Sequence, residues 1–397
     1  MTNDLTLRLW DGSTDRGVVR LAWSGDEIVS VESADGEGDD ALSIVPGLVD
    51  THVHLGYNAS QLAFDPTTWP IITPPEERSL HIAANAISCL RGGVTTVRDL
   101  AADAVQMAVE RAFDQGVLEG PRLRTHGMVG MTAGHGDLFV PPRYRVRDAV
   151  ADSPDECRKV VRTWAREGAD GVKIYTSGGV LSMGDKVGWR NQTLDEIRAT
   201  IDEAHALGMP VAAHTHTANG VDIALAEGVD SIEHGTGIEE RHFATLLERN
   251  IPVAPTLLIN DIIAEARRPV TAEAQEKAKD VVALRDRNFA AAGAAGIRFV
   301  LGTDASSQFV AFGDQMEEVR AMAATFSWSP ERAMVAATSD AADAIGLGNT
   351  VGTLAPGFGA DFLIVRGRPW EDISALDTAN IVAVVSRGRL AAGSLPA

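Results

Sequence analysis

His52 and His54 stand one residue apart at the end of Ile44-Val45-Pro46-Gly47-Leu48-Val49-Asp50-Thr51-His52-Val53-His54. Alternate residues of a strand face the same side, so both imidazoles leave a strand end together, as two ligands of one metal ion should. An isolated H-x-H is equally consistent with two solvated surface histidines, so a metal site needs further ligands. The chain offers them. Lys173 interrupts the apolar run Gly171-Val172-Lys173-Ile174-Tyr175, where a lone buried ammonium is costly. His214-Thr215-His216, Glu233-His234 and Thr303-Asp304 each end an apolar run of their own. Ligand-type residues repeated at strand ends form a pattern that an ordinary core seldom produces.

The elements that must position these residues follow from hydrophobic patterning. Apolar strands are predicted at Val45–His54, Val94–Asp99, Leu123–Gly127, Val172–Thr176, Val211–His216, Ser231–His234, Ile251–Thr256 and Phe299–Thr303. Most are followed by an amphipathic stretch of helical length, such as Glu76–Arg91, Pro154–Glu167, Leu194–Ala206 and Glu239–Arg249. Gly208, Gly228 and Gly296 sit where helices would end, and Glu331–Ile345 reads as one further helix. Strand–helix repetition of this kind predicts an α/β chain folded as a (β/α)8 TIM barrel, whose active site lies at the C-terminal ends of the strands. The termini differ. Leu5–Trp10 and Val18–Trp23 alternate apolar and polar residues, and Asp361–Val365 and Ile381–Val385 are short strands bounded by Gly and Pro. These segments are expected to pair into a small β-sandwich domain of residues 1–46 and 348–397, leaving 47–347 as the barrel.

A chain of 397 residues can bury a large core, and its formal net charge of −20 argues against nucleic acid and anionic membranes as partners. Cys89 and Cys157 lie far apart in predicted helices and read as reduced packing thiols. No signal-peptide pattern and no apolar run of membrane-spanning length is visible, so a cytoplasmic protein is expected. His81, His205 and His242 fall in predicted helices, where surface or packing roles suffice.

The motifs Pro46–His54, Val172-Lys173, His214, Ser231-Ile232-Glu233-His234-Gly235-Thr236 and Gly302-Thr303-Asp304 together resemble the amidohydrolase superfamily, as does the closing segment Gly352–Phe362. The resemblance implies a barrel flanked by a sandwich built from both termini. It also implies a binuclear centre, with His52, His54 and Asp304 on one divalent ion, and His214 and His234 on the other. Lys173 would be carboxylated by CO2 (N6-carboxylysine) and bridge both ions. Zn2+ is the expected metal, with Mn2+, Co2+ or Fe2+ also compatible. Two ions about 3.5–4 Å apart can share a hydroxide and polarise a carbonyl, and Asp304 would serve as general base. The motif places the metal on His214 rather than His216, which leaves His216 to the substrate.

The loop Met131-Thr132-Ala133-Gly134-His135-Gly136-Asp137 and the run Lys173–Val180 resemble the branch that holds imidazolonepropionase-like proteins, metal-dependent Xaa-Pro dipeptidases and ochratoxinase-type amidases. That resemblance assigns His135 to polarising the scissile carbonyl and Tyr175 to the substrate's carboxylate. Ala133 and Thr217 depart from it, each standing where the branch commonly has Gly. Two apolar loops, 57–75 and 180–189, suit either lids over the barrel mouth or subunit contacts in a homo-oligomer. The expected activity is hydrolysis of an amide in an N-acyl amino acid or dipeptide. Cyclic amides, carbamates, ureas or xenobiotic anilides are alternative substrates of the same site, and a non-catalytic scaffold is the alternative of another class. All six ligand positions carry ligand-capable residues, which speaks against the scaffold.

Overall fold

A computed structural model of the chain describes residues 2–34, 41–60, 68–306 and 308–396. Four strands come first: β1 (Thr2–Trp10), β2 (Asp15–Ser24), β3 (Glu27–Ser33) and β4 (Leu42–Pro46). Seven follow as a parallel sheet in sequence order: β5 (Leu48–Val53), β6 (Val94–Ala102), β7 (Arg122–Met128), β8 (Gly171–Tyr175), β9 (Val211–Thr215), β10 (Ser231–His234) and β11 (Val253–Ala254). The last three, β12 (Phe362–Arg366), β13 (Ile381–Ser386) and β14 (Arg389–Gly393), join β1–β4 in a second sheet of order β14-β13-β12-β4-β1-β2-β3.

The eighth barrel position is taken by residues 298–305. They bridge in parallel to β11 through Val253 and Phe299 and to the end of β5 through Val53 and Ala305. Backbone bonds from Val300 N to Val253 O (3.0 Å), Thr51 N to Leu301 O (2.9 Å) and His54 N to Ala305 O (2.8 Å) complete the closure. Gly302 permits the approach, because a Cβ there would lie 3.1 Å from His52 Cβ and 2.6 Å from Ala254 Cβ. The predicted TIM barrel with a β module from both chain ends is therefore the fold.

Two elements depart from expectation for local reasons. Val45–His54 is not one strand: Pro46-Gly47 divides it, so β4 is central in the terminal sheet while β5 opens the barrel. A Cβ at Gly47 would fall 2.1 Å from Thr95 Oγ1, so only glycine fits the crossing point. The predicted helix Glu331–Ile345 is two, Pro330–Ala337 and Ser339–Ala344, broken at Thr338, which has φ −128° and ψ −93°. Helices Leu257–Ala264, Ala272–Ala294 and Met316–Phe326 were not singled out from the sequence.

Where patterning was strong, its physics is visible. In helix Pro154–Glu167, Ser153 accepts from Glu156 N, Pro154 occupies the first turn, and Gly168 ends the helix at φ 95°. Its buried face of Cys157, Val160, Val161 and Trp164 packs on the barrel, and the Trp164 ring lies where a side chain at Gly127 of β7 would be. Truncating Trp164 to alanine would cost about 3–5 kcal/mol. Both cysteines are buried free thiols. Among the described residues no helix is long and apolar enough to cross a membrane.

Candidate metal centre and active-site cavity

The C-terminal ends of the barrel strands bring six histidines into one cluster. His52 and His54 leave β5, His214 and His216 leave β9 and the residue after it, His234 ends β10, and His135 comes from the loop after β7. Ring centroids step from His54 to His52 (5.2 Å), to His234 (5.1 Å), to His214 (4.7 Å) and to His135 (4.3 Å), with His216 stacked on His234 at 4.6 Å. Two ligand-grade groups result, His52–His54–Asp304 and His214–His216–His234, with ligand atoms within 4.8 Å of one another in each. Three of the strand-end residues strain the backbone: His234 (φ 67°), Asp304 (φ 57°) and Thr256 (φ 45°) adopt left-handed conformations without being glycine.

Several of these rings have one nitrogen tied back, which leaves the other to face the cluster. His214 Nε2 bonds Gly178 O at 3.1 Å, and His234 Nδ1 meets Thr256 Oγ1 at 2.7 Å. His52 Nδ1 lies 2.8 Å from Glu233 Oε2, a close polar contact off the ideal hydrogen-bond line, and its Nε2 turns toward Asp304 Oδ1 at 3.6 Å. His54 Nε2 is 3.0 Å from the same oxygen. Burial, then the nearby Lys173 charge, lowers His52 to about 4, and burial holds His214 and His234 well below their ordinary value. Neutral imidazoles with a free nitrogen are the form that binds a divalent cation.

Lys173 lies in the middle of β8 with its side chain wholly enclosed, and Nζ has no hydrogen-bond partner among the described residues. Burial lowers its pKa to about 8, against the opposing pull of Glu233 and Asp304. An orphaned buried amine beside four metal-type imidazoles is unfavourable as an ammonium. The donor set fits a divalent centre once that amine becomes an oxygen ligand.

A cavity of about 290 Å³ opens over the cluster. Its polar wall includes His54, Asp99, Lys173, Tyr175, His216 and Asp304; its apolar wall includes Pro70, Ile71, Phe139, Val180, Leu181, Ile259 and Ile263. A model of the amidohydrolase family matches residues 43–391. The chain belongs to the amidohydrolase family. Ochratoxinase of Aspergillus niger is 27% identical over 365 residues, spanning 87% of this chain and 74% of that protein. A crystal structure of a Xaa-Pro dipeptidase with bound methionine superposes with a TM-score of 0.86 at 28% identity, covering 98% and 99% of the two chains. The A. niger ochratoxinase crystal structure gives 0.85 at 26% identity, covering 99% and 96%.

In this amidohydrolase every residue singled out from the sequence for the site lies around one cavity. The choice between His214 and His216 is not made by geometry, since both belong to the same three-histidine group. The departures Ala133 and Thr217 have local accommodations. Ala133 takes φ 61°, the conformation that favours glycine, and its N–H is held by Asp137 Oδ2 at 2.8 Å. Thr217 caps helix Ala218–Glu227 by accepting from Gly220 N.

The apolar loops are more divided than expected. In 57–75, Trp69 is buried against His81 with centroids 4.9 Å apart, Pro70 and Ile71 face the cavity, and Ile72 is exposed; Leu62 and Phe64 lie outside the described residues. In 180–189, Val180 and Leu181 face the cavity and Met183 and Trp189 are exposed, while Ser182 and Asp185 are fully buried and hydrogen-bonded.

Sequence reasoning missed the groups behind the ligands. Arg98 of β6 donates from Nε to Thr51 O (2.6 Å), from one terminal nitrogen to Ser231 Oγ (3.1 Å) and from the other to Glu233 Oε1 (2.7 Å). One guanidinium thus joins β5, β6 and β10 and holds the carboxylate that touches His52. Asp50 Oδ2 accepts from Thr303 Oγ1 at 2.6 Å and Oδ1 from the backbone N–H of His52 and Thr303. An arginine in an apolar barrel strand was the available signal, of the same kind as Lys173.

Proposed function

We propose that this amidohydrolase hydrolyses the amide bond of an N-acyl amino acid or dipeptide at a centre of two divalent ions, with zinc the expected metal. The observation that carries the reading is Lys173: a wholly buried amine with no hydrogen-bond partner among the described residues, set among His52, His54, His214, His234 and Asp304. In this reading His52, His54 and Asp304 would hold one ion, His214 and His234 the other, and Lys173, carboxylated by CO2, would serve both. Bound there, the ions supply a water of lowered pKa and polarise the scissile carbonyl.

The chain's own groups do the rest. Burial alone would raise the Asp304 carboxyl, but the neighbouring His52 and His54 rings oppose it, and the group lies below its ordinary value. Asp304 therefore stays ionised, able to take the proton of the attacking water and pass it to the leaving nitrogen. Tyr175 and His216 line the cavity, where they are assigned to the substrate's carboxylate and polar end. The apolar wall of Ile71, Phe139, Leu181 and Ile259 suits a hydrophobic acyl or aromatic group. The similarity to an ochratoxinase and a Xaa-Pro dipeptidase supports this substrate class.

We further assign residues 1–46 and 348–397 to one domain and 47–347 to the catalytic one. Exposed Ile72, Leu80 and Trp189 suit subunit contacts in a homo-oligomer. The test is turnover of an amide panel by protein replete with Zn2+ or Mn2+, with Lys173→Ala beside it. Metal-dependent cleavage lost in the variant is expected, and equal turnover by both proteins would sink the assignment.

A further inference from the structure

Among the described residues three carboxylates line the cavity, those of Asp99, Asp103 and Asp304. Two are engaged. Asp304 Oδ1 lies 3.6 Å from His52 and 3.0 Å from His54. Asp103 Oδ2 accepts from Arg78 at 2.6 Å, and its Oδ1 caps the helix Ala104–Asp114 through Val105 N at 2.8 Å. Asp99, near the C-terminal end of β6, is not engaged. Its side chain is wholly buried, and neither oxygen has a hydrogen-bond partner among the described residues. Burial raises its pKa to about 7, against the pull of His54, the Leu55 N–H and the Gln106 amide, which lie close without completing a hydrogen bond. A buried carboxylate in this state is costly, and a cation arriving from the cavity relieves it. The cavity's own cations are committed: Arg78 is held by Asp103, and Lys173 is given to the centre in the reading above.

The position of Asp99 says which half of a substrate would carry that cation. Asp99 pairs with Val53 across β5 and β6, beside His54. The series of rings runs from His54 to His135, and Tyr175 stands at its far end, with its centroid 5.2 Å from His135 and 5.6 Å from His214. The Tyr57 phenol lies between the two ends. Burial raises it to about 12, and the nearby Asp304 and Asp99 charges add to the rise. Burial likewise raises Tyr175, with Tyr57 and Asp304 adding to it. With the substrate's carboxylate at Tyr175 and its carbonyl over the centre, the acyl half points toward His54 and Asp99. A dipeptide differs from an N-acyl amino acid in that half: it carries an ammonium on the carbon next to the scissile carbonyl. An Xaa-Pro dipeptide has this ammonium too.

We propose that Asp99 is a specificity-determining residue that receives the free α-ammonium of a dipeptide, so that the cavity prefers dipeptides to N-acyl amino acids. The orientation of the substrate rests on the amidase reading above; the unbalanced charge at Asp99 does not.

The test uses metal-loaded protein, wild type and Asp99→Asn, with Asp99→Ser as a second variant, and metal content is measured for each. Titration calorimetry compares a ketomethylene isostere of phenylalanyl-proline, which cannot be hydrolysed, with its desamino counterpart. Kinetics compare phenylalanyl-proline with N-(3-phenylpropanoyl)-proline, which lacks only the ammonium. Wild type is expected to favour the ammonium-bearing member of each pair by about tenfold to a hundredfold, the worth of a hydrogen bond to a charged group. Both variants should keep their metal and lose most of that preference. The loss should fall on KM rather than kcat, because the contact is made in ground state and transition state alike. No preference in the wild type, or one unchanged in the variants, overturns the proposal. Loss of metal in both variants, or equal weakening of both members of a pair, also overturns it, since Asp99 would then serve His54 and the centre. A wild type that binds the ammonium-bearing isostere more tightly through Asp99 but cleaves neither amide would overturn the amidase reading and leave the ammonium site upheld.

Discussion

Replacing Arg98 by methionine should separate folding from metal retention. Arg98 and Glu233 are both buried, and the guanidinium supplies the charge that balances the carboxylate. Its removal leaves Glu233 Oε1 with only the Ser231 hydroxyl, at 2.7 Å, and frees Thr51 O and Ser231 Oγ of their donor. Breaking a buried ion pair from one side costs about 3–5 kcal/mol. With an unfolding entropy near 2.1 cal/mol/K per residue over 397 residues, that is a fall in Tm of about 4–6 °C. The double variant Arg98→Met/Glu233→Leu removes both charges from a dry site, which is often neutral or stabilising, so Tm should return to within about 1–2 °C of wild type. Metal affinity should not return, because His52 has lost the carboxylate at its Nδ1; losses of such outer partners cost about 10–100-fold. The assays are calorimetry on metal-free protein and competition with a chelating dye. A double variant that regains stability and also binds metal as tightly as wild type would refute the view that Glu233 orients His52.

Three other outcomes follow from the same geometry. Lys173→Ala should bind less metal than wild type, and reconstitution of metal-free wild type should be faster with bicarbonate; a time course indifferent to bicarbonate would count against the carbamate. Gly179→Ala puts a methyl group 1.9 Å from His135 Cε1, so it should cost about 1–3 kcal/mol of stability and lower kcat/KM while metal content is unchanged; unaltered turnover would show that the ring's placement is immaterial. Metal-free protein should lose stability on acidification. Burial lowers His52 to about 4 and His216 to about 3, and His214 and His234 lie well below 6.5. His54 opposes them, because Asp304 raises it despite burial. As pH falls below about 6.5 the unfolded chain binds more protons than the native one, at about 1.4 kcal/mol per pH unit for each net proton. Tm should fall steeply from pH 7.5 to 5.5, and a flat profile would contradict the burial of these rings.

Barrel strands such as β8 and β10 were legible because an apolar run is interrupted or ended by a polar residue of a distinctive type, as at Lys173 and His234. The division at Pro46-Gly47 was hidden because both halves of the run are buried, and the pattern is the same for a central strand of either sheet. Helix Ala272–Ala294 carries many alanines and few apolar side chains, so its periodicity is weak. The ligand-type residues could be read from their own chemistry; Arg98 and Asp50 could not, because each acts through a partner distant in sequence. Ser182 was concealed in a run whose apolar neighbours suggested a mobile lid.

The run through Pro46-Gly47 has a consequence for the order of assembly. β4 is hydrogen-bonded to β12, whose Phe362 pairs with Pro46 and Leu363 with Val45, and Gly47 N bonds Asp361 O. A ribosome delivers β5, with His52 and His54, hundreds of residues before the strand that clamps its base. Closing so long a loop makes this contact late in folding. The histidine strand thus gains its final footing only when the C-terminal sheet has been made.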